Sequence, residues 1–83
     1  MTNIHQILST NLKRQLAVKR KTAEKLAFEA EVSKSLLSDI INLKKRAGLE
    51  TIQKLAEALE VPVAELFKLK RVRAPKTIVK MKD

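Results

Sequence analysis

The chain has 83 residues, of which 45% are hydrophobic, with one glycine, two prolines and no cysteine. That composition is of a single small helical domain; it excludes disulfides, thiolate chemistry, cysteine zinc sites and a turn-rich β-sandwich. Eighteen Lys and Arg against nine Asp and Glu leave a net charge of +9, which draws the chain to polyanions, while two aromatics (Phe28 and Phe67) offer no platform for stacking single-stranded bases.

Ile4, Ile7, Leu8, Leu12 and Leu16 recur at spacings of three and four, which predicts a first helix over about residues 3–19 with Thr2 as its N-cap. The run Lys19-Arg20-Lys21 ends the apolar stripe. Thr22 is the expected N-cap of a second helix with Leu26, Ala27 and Ala30 inward. After Glu31 and Val32, Ser33 caps a third helix with Leu37, Ile40 and Ile41 inward, ending near Asn42 or Leu43. A polar loop, Lys44-Lys45-Arg46-Ala47-Gly48, follows. Leu49, Ile52, Leu55, Ala56 and Leu59 then predict a fourth helix to about Glu60. Pro62 cannot continue it but can open a fifth, short helix from Val63 to about Lys68, with Leu66 and Phe67 inward.

Charge divides the chain near Phe67. Residues 68–83 hold seven basic residues and one acid, a net of +6, whereas residues 1–67 hold eleven basic and eight acidic residues, a net of +3. The expected organisation is thus all-α, a compact five-helix domain over 1–67 followed by a basic C-terminal tail over 68–83. The tail reads in three ways: as a disordered basic extension, as an arm along DNA phosphates or a minor groove, or as a self-pairing strand through its β-branched Lys76-Thr77-Ile78-Val79-Lys80-Met81 stretch.

The informative unit is Ala23 to Asn42, two short helices joined by a three-residue turn, with small Ala27 where they would cross. This is helix-turn-helix spacing, which places the N-terminal residues of the second helix at base edges in the major groove. Lys34, Ser35, Ser38 and Asp39 face outward and are the candidate base contacts: Lys34 can donate to guanine, and Asp39 can accept from cytosine N4. Thr22, Ser33, Asn42, Lys44, Lys45 and Arg46 are the candidate contacts to the DNA backbone. The competing reading of all ten is an ordinary solvated face. Phe28 and Leu36 are apolar residues that look outward, and His5 reads as a surface side chain without a role.

Four segments, Thr22-Ala-Glu-Lys-Leu-Ala, Val32-Ser-Lys-Ser-Leu-Leu-Ser-Asp-Ile, Leu49-Glu-Thr-Ile-Gln-Lys-Leu-Ala-Glu-Ala-Leu and Val61-Pro-Val-Ala-Glu-Leu-Phe, stand in order over roughly residues 10–67. In them the chain resembles the lambda-repressor/Cro-like (XRE) helix-turn-helix family. The resemblance implies a five-helix DNA-binding domain, commonly homodimeric, that acts as a transcriptional regulator. Departures are visible. The family often has a phosphate-gripping Gln where Ala23 stands, and Gly where Arg20, Glu31 and Leu43 stand. Its buried Arg–Glu pair falls on Leu16 and Ile41, both apolar, so no buried charge is stranded and the two are expected to touch.

The expected function is sequence-specific binding of double-stranded DNA at a palindromic operator, by a cytoplasmic homodimer acting most simply as a repressor. Its dimer surface is expected around Val61, Pro62, Val63 and Leu66. The competing class is an antitoxin-type interaction module whose tail engages a small protein partner, with operator binding secondary. Neither reading needs a cofactor or metal. No phosphate-cradling glycine loop, nucleophile–base pair or carboxylate pair speaks for an enzyme, and no segment is apolar enough for a membrane span.

Overall fold

Short polar residues mark where the first three helices begin. A computed structural model describes residues 3–69. They form α1 (Ile4–Lys19), α2 (Ala23–Ala30), α3 (Lys34–Ile41) and α4 (Leu49–Leu59), closed by a 3-10 turn over Val63–Phe67. Thr22 and Ser33 cap α2 and α3 as expected, accepting the Lys25 and Leu36 amides at 3.0 and 2.9 Å. The cap of α1 is Asn3 rather than Thr2. Its Oδ1 accepts the His5 amide at 2.7 Å, and its own amide donates to Gln6 Oε1 at 3.3 Å, a reciprocal pair that satisfies two otherwise orphaned donors. The expected fifth α-helix is a 3-10 turn ending at Phe67, because five residues after Pro62 are too few for a stable α-helical ladder.

The four helices and the turn share one core. Leu8 and Leu12 from α1, Leu26, Ala27 and Ala30 from α2, Leu37 and Ile40 from α3, Ile52, Leu55, Ala56 and Leu59 from α4, and Leu66 are all buried. Phe67, Leu36, Leu16 and Ile41 pack half-buried against it. Two residues placed inward by periodicity are exposed: Ile4 and Leu49, at 57% and 86%. Each sits in the first turn of its helix, overhanging the core where no other described element covers it.

The core also holds polar residues that hydropathy does not mark. Ser9, Asn11 and Gln15 are buried on α1. Asn11 ties both ends of the domain together. Its Nδ2 shares two hydrogens among the carbonyls of Ile7, Leu66 and Lys68 at 3.0, 2.9 and 2.9 Å, and Arg14 donates to its Oδ1. The 3-10 turn is thereby fixed to α1 by side-chain hydrogen bonds as well as by Leu66.

Four residues other than glycine take the left-handed conformation: Arg20, Glu31, Leu43 and Glu60, with φ between 56° and 63°. Three of them are the positions where glycine was the family expectation, and the turns keep their shape without it. Each left-handed L-residue costs about 1–2 kcal/mol. The return is hydrogen bonding: beyond Glu31, for instance, the Val32 amide reaches Ala27 O at 3.0 Å. At the α1–α2 turn, Lys21 bonds to the Glu29 carboxylate at 2.5 Å. That bond holds the Glu29 carboxyl below the usual carboxylate range. Its contribution is present at neutral pH and lost as pH falls through the lowered value.

Residues 70–83 lie outside the described residues, so the three readings of the tail and the docking of a small protein partner on it fall there.

Three outcomes follow, each read from denaturant melts. Asn11→Ala orphans the Leu66 and Lys68 carbonyls and should cost about 2–3 kcal/mol. Glu31→Gly relieves left-handed strain, partly offset by a freer unfolded chain, and should gain about 0.5–1 kcal/mol. A double-mutant cycle on Leu16→Ala and Ile41→Ala should give a coupling of about 0.5 kcal/mol or more if the two side chains touch, and none if they do not.

Candidate nucleic-acid interface

The geometry of the site follows from the turn between α2 and α3. Glu31 reverses the chain, half-buried Val32 anchors it, and Ser33 starts α3 after three residues. Ala27 is buried on α2, which packs against both α3 and α4. With Leu37 and Ile40 buried beneath, the opposite face of α3 is turned to solvent.

That face gathers the four residues expected to read bases. Lys34, Ser35, Ser38 and Asp39 together line one shallow, open hollow. Lys34, Ser35 and Ser38 are exposed and Asp39 is half-buried. Two long ion pairs flank it: Lys34 with Glu24 of α2 at 3.7 Å, and Lys45 with Asp39 at 3.9 Å. Exposed pairs of this length contribute about 0–1 kcal/mol, so neither carboxylate holds its lysine tightly. The pairing of Glu24 with Lys34 has no signal in the sequence, because it joins two helices.

Residues expected to touch the DNA backbone occupy three places. Thr22 stands exposed at the start of α2, apart from the α3 hollow, and Ser33 stands at the start of α3. Asn42 donates to Ser38 Oγ at 3.3 Å, extending the polar face of α3. Lys44, Lys45 and Arg46 are exposed in the following loop. Left-handed Leu43 turns that loop, and the Lys44 and Lys45 amides both donate to Asp39 O, at 2.7 and 3.3 Å. Ser9 Oγ of α1 donates to Ile41 O at 2.6 Å and fixes the end of α3. The backbone of Lys44 and Lys45 is therefore held beside the end of α3 by main-chain bonds.

A profile of the helix-turn-helix family matches residues 12–66, and the chain belongs to that family, of the lambda-repressor/Cro-like type. By that membership it is a DNA-binding regulator and not an enzyme. Among solved structures it is similar to the restriction-modification controller protein C.AhdI from Aeromonas hydrophila, at 27% identity and a TM-score of 0.73, over 76% of this chain and 96% of that one. It is similar in fold to a hypothetical transcription factor, NHTF, from Neisseria, at 22% identity and a TM-score of 0.79, over 83% of this chain and 79% of that one. No curated protein matches the sequence.

Proposed function

We propose that the protein is a sequence-specific regulator that binds double-stranded DNA as a homodimer at a two-fold symmetric operator, represses by occupying it, and works in the cytoplasm. The observation that carries this reading is the α3 face: four hydrogen-bonding side chains share one open hollow, with loop cations fixed beside it. Lys34 and the serines supply donors and acceptors for base edges. Asp39 repels phosphates, so its value is in selecting cytosine rather than in adding affinity. Thr22, Ser33, Asn42, Lys44, Lys45 and Arg46 set the register on the backbone.

The dimer surface is redrawn relative to the sequence expectation. Leu66 is fully buried within the subunit and has no surface to offer a partner. Pro62 and Val63 are exposed and Val61 is half-buried, so these three remain the proposed contact, beside exposed Leu69. Two such subunits would present their α3 helices to half-sites about one helical turn, roughly 34–36 Å, apart. The likeness to a restriction-modification controller supports a regulator of this size. No helix among the described residues is long and apolar enough to cross a membrane.

Two substitutions separate the roles. Lys44 has no carboxylate partner among the described residues, so Lys44→Ala should weaken binding to all duplexes alike and reduce the salt slope by about one unit. Asp39→Ala should instead change which base is preferred at one position, by about 1–3 kcal/mol. Binding measured against a set of single-base operator variants distinguishes the two. A uniform effect from both would contradict base readout through α3.

A further inference from the structure

Apolar contact holds α3 to its neighbours: Leu37 and Ile40 are buried, and Leu36 and Ile41 pack half-buried against the core. Such contact is non-directional and does not by itself fix the rotation or depth of an eight-residue helix. The start of α3 is set locally, by the turn and the Ser33 cap. At its other end the last four carbonyls have no partner inside the helix. The chain that follows takes three of them: the Asn42 amide donates to Ser38 O, the Leu43 amide to Ile40 O, and the Lys44 and Lys45 amides to Asp39 O. The fourth, Ile41 O, is taken by α1, where Ser9 Oγ donates to it at 2.6 Å. Among the described residues this is the one hydrogen bond that joins residues 34–42 to another helix, and no ion pair joins α1 to α3. Ser9 is itself buried. A serine inside a helix can turn its hydroxyl to the carbonyl four residues back. A hydroxyl has a single hydrogen, and Ser9 gives it instead to a carbonyl 32 residues away.

We propose that Ser9 is a positioning residue for base recognition: through Ile41 O it fixes the last turn of α3, and with it Ser38 and Asp39, against the duplex without touching DNA. The inference rests on the reading of α3 above and adds to it a residue that lies outside the DNA surface. Hydrogen bonds weaken steeply with misalignment, and a recognition group must be held to within roughly 0.5 Å. Asp39 and Ile41 stand two residues apart in one turn, so a shift at Ile41 carries the Asp39 carboxylate with it. Ser38 and Asp39 have short side chains that cannot compensate for such a shift. The loop lysines, on flexible four-carbon stems, can follow a phosphate through it. Lys34, beside the Ser33 cap, is at the end of α3 that Ser9 does not hold. The bond to Ile41 O therefore acts on the bases read from the C-terminal half of α3 and leaves the phosphate contribution alone.

The probe is a duplex enriched from random sequence by the wild-type chain, together with its single-base variants. Affinities are measured for wild type, Ser9→Ala, Ser9→Cys and Asn11→Ala at a temperature where circular dichroism shows the chain folded. Ser9→Ala removes the donor, and Ser9→Cys refills the space with a weak one. Asn11→Ala breaks buried hydrogen bonds between α1 and the 3-10 turn, away from α3, and so reports destabilisation alone. Both Ser9 variants should lose discrimination by about fivefold or more at the base pairs that Asp39→Ala affects. They should keep it at the base pairs that Lys34→Ala affects, and bind an unrelated duplex with wild-type affinity and salt slope. Asn11→Ala should keep the wild-type pattern throughout. If Ser9→Ala does not fold, Ser9→Cys carries the test. Wild-type discrimination in either folded Ser9 variant, an equal loss for every sequence, or the same loss in Asn11→Ala would each overturn the proposal while leaving base readout by α3 intact. Failure of the wild-type chain to enrich any sequence would overturn the reading of α3 and this inference with it.

Discussion

Burial of Leu37 and Ile40 is the constraint on which the functional face depends. An eight-residue helix makes little more than two turns, and it can bury one stripe only. Once those two side chains are sealed against α1 and α2, the polar residues at 34, 35, 38 and 39 have nowhere to go but outward, together. The three-residue turn adds the second restraint. Its left-handed Glu31 and its Ser33 cap set where α3 begins, and Lys34 and Ser35 in the first turn are exposed. The proposed reading face is a by-product of core packing: the same helical spacing that closes the core exposes a compact set of hydrogen-bonding groups.

Electrostatics complements that arrangement without stabilising it greatly. The ion pairs around α3 are long and solvent-exposed, and the loop cations are positioned by their own amides rather than by carboxylates. Charge is thus kept available for a polyanion instead of being spent within the fold. Stability comes from elsewhere, from a dozen buried apolar residues and the Asn11 amide bridging α1 to the 3-10 turn. Against it stand four strained left-handed residues, so a domain of this size, which buries only about 60% of its unfolded surface, carries little reserve.

Much of this was legible in the amino-acid sequence. Thr22 and Ser33 announce their helices because small hydroxyl residues before an apolar stripe satisfy orphan amides, a local signal. The inward set Leu26, Ala27, Leu37 and Ile40 follows from periodicity alone. Legibility fails where the deciding partner is distant. Asn11 looks like a surface residue of α1 until the Leu66 and Lys68 carbonyls are brought to it. Leu49 continues a perfect apolar spacing yet lies open, because periodicity says which side a residue faces and not whether anything covers that side. Leu66 reads equally well as core or as dimer contact, and only the packed turn decides for core. Ser9 carries no local signal either; the Ile41 carbonyl reaches it only once α1 packs on α3.

The central claim is that α3 reads base identity. Selection of bound sites from random duplex DNA, repeated at two salt concentrations, tests it most directly. The account predicts an enriched, two-fold symmetric sequence whose preference for particular bases persists at the higher salt, when sequence-independent binding has fallen away. Recovery of unenriched sequence at both concentrations would contradict it.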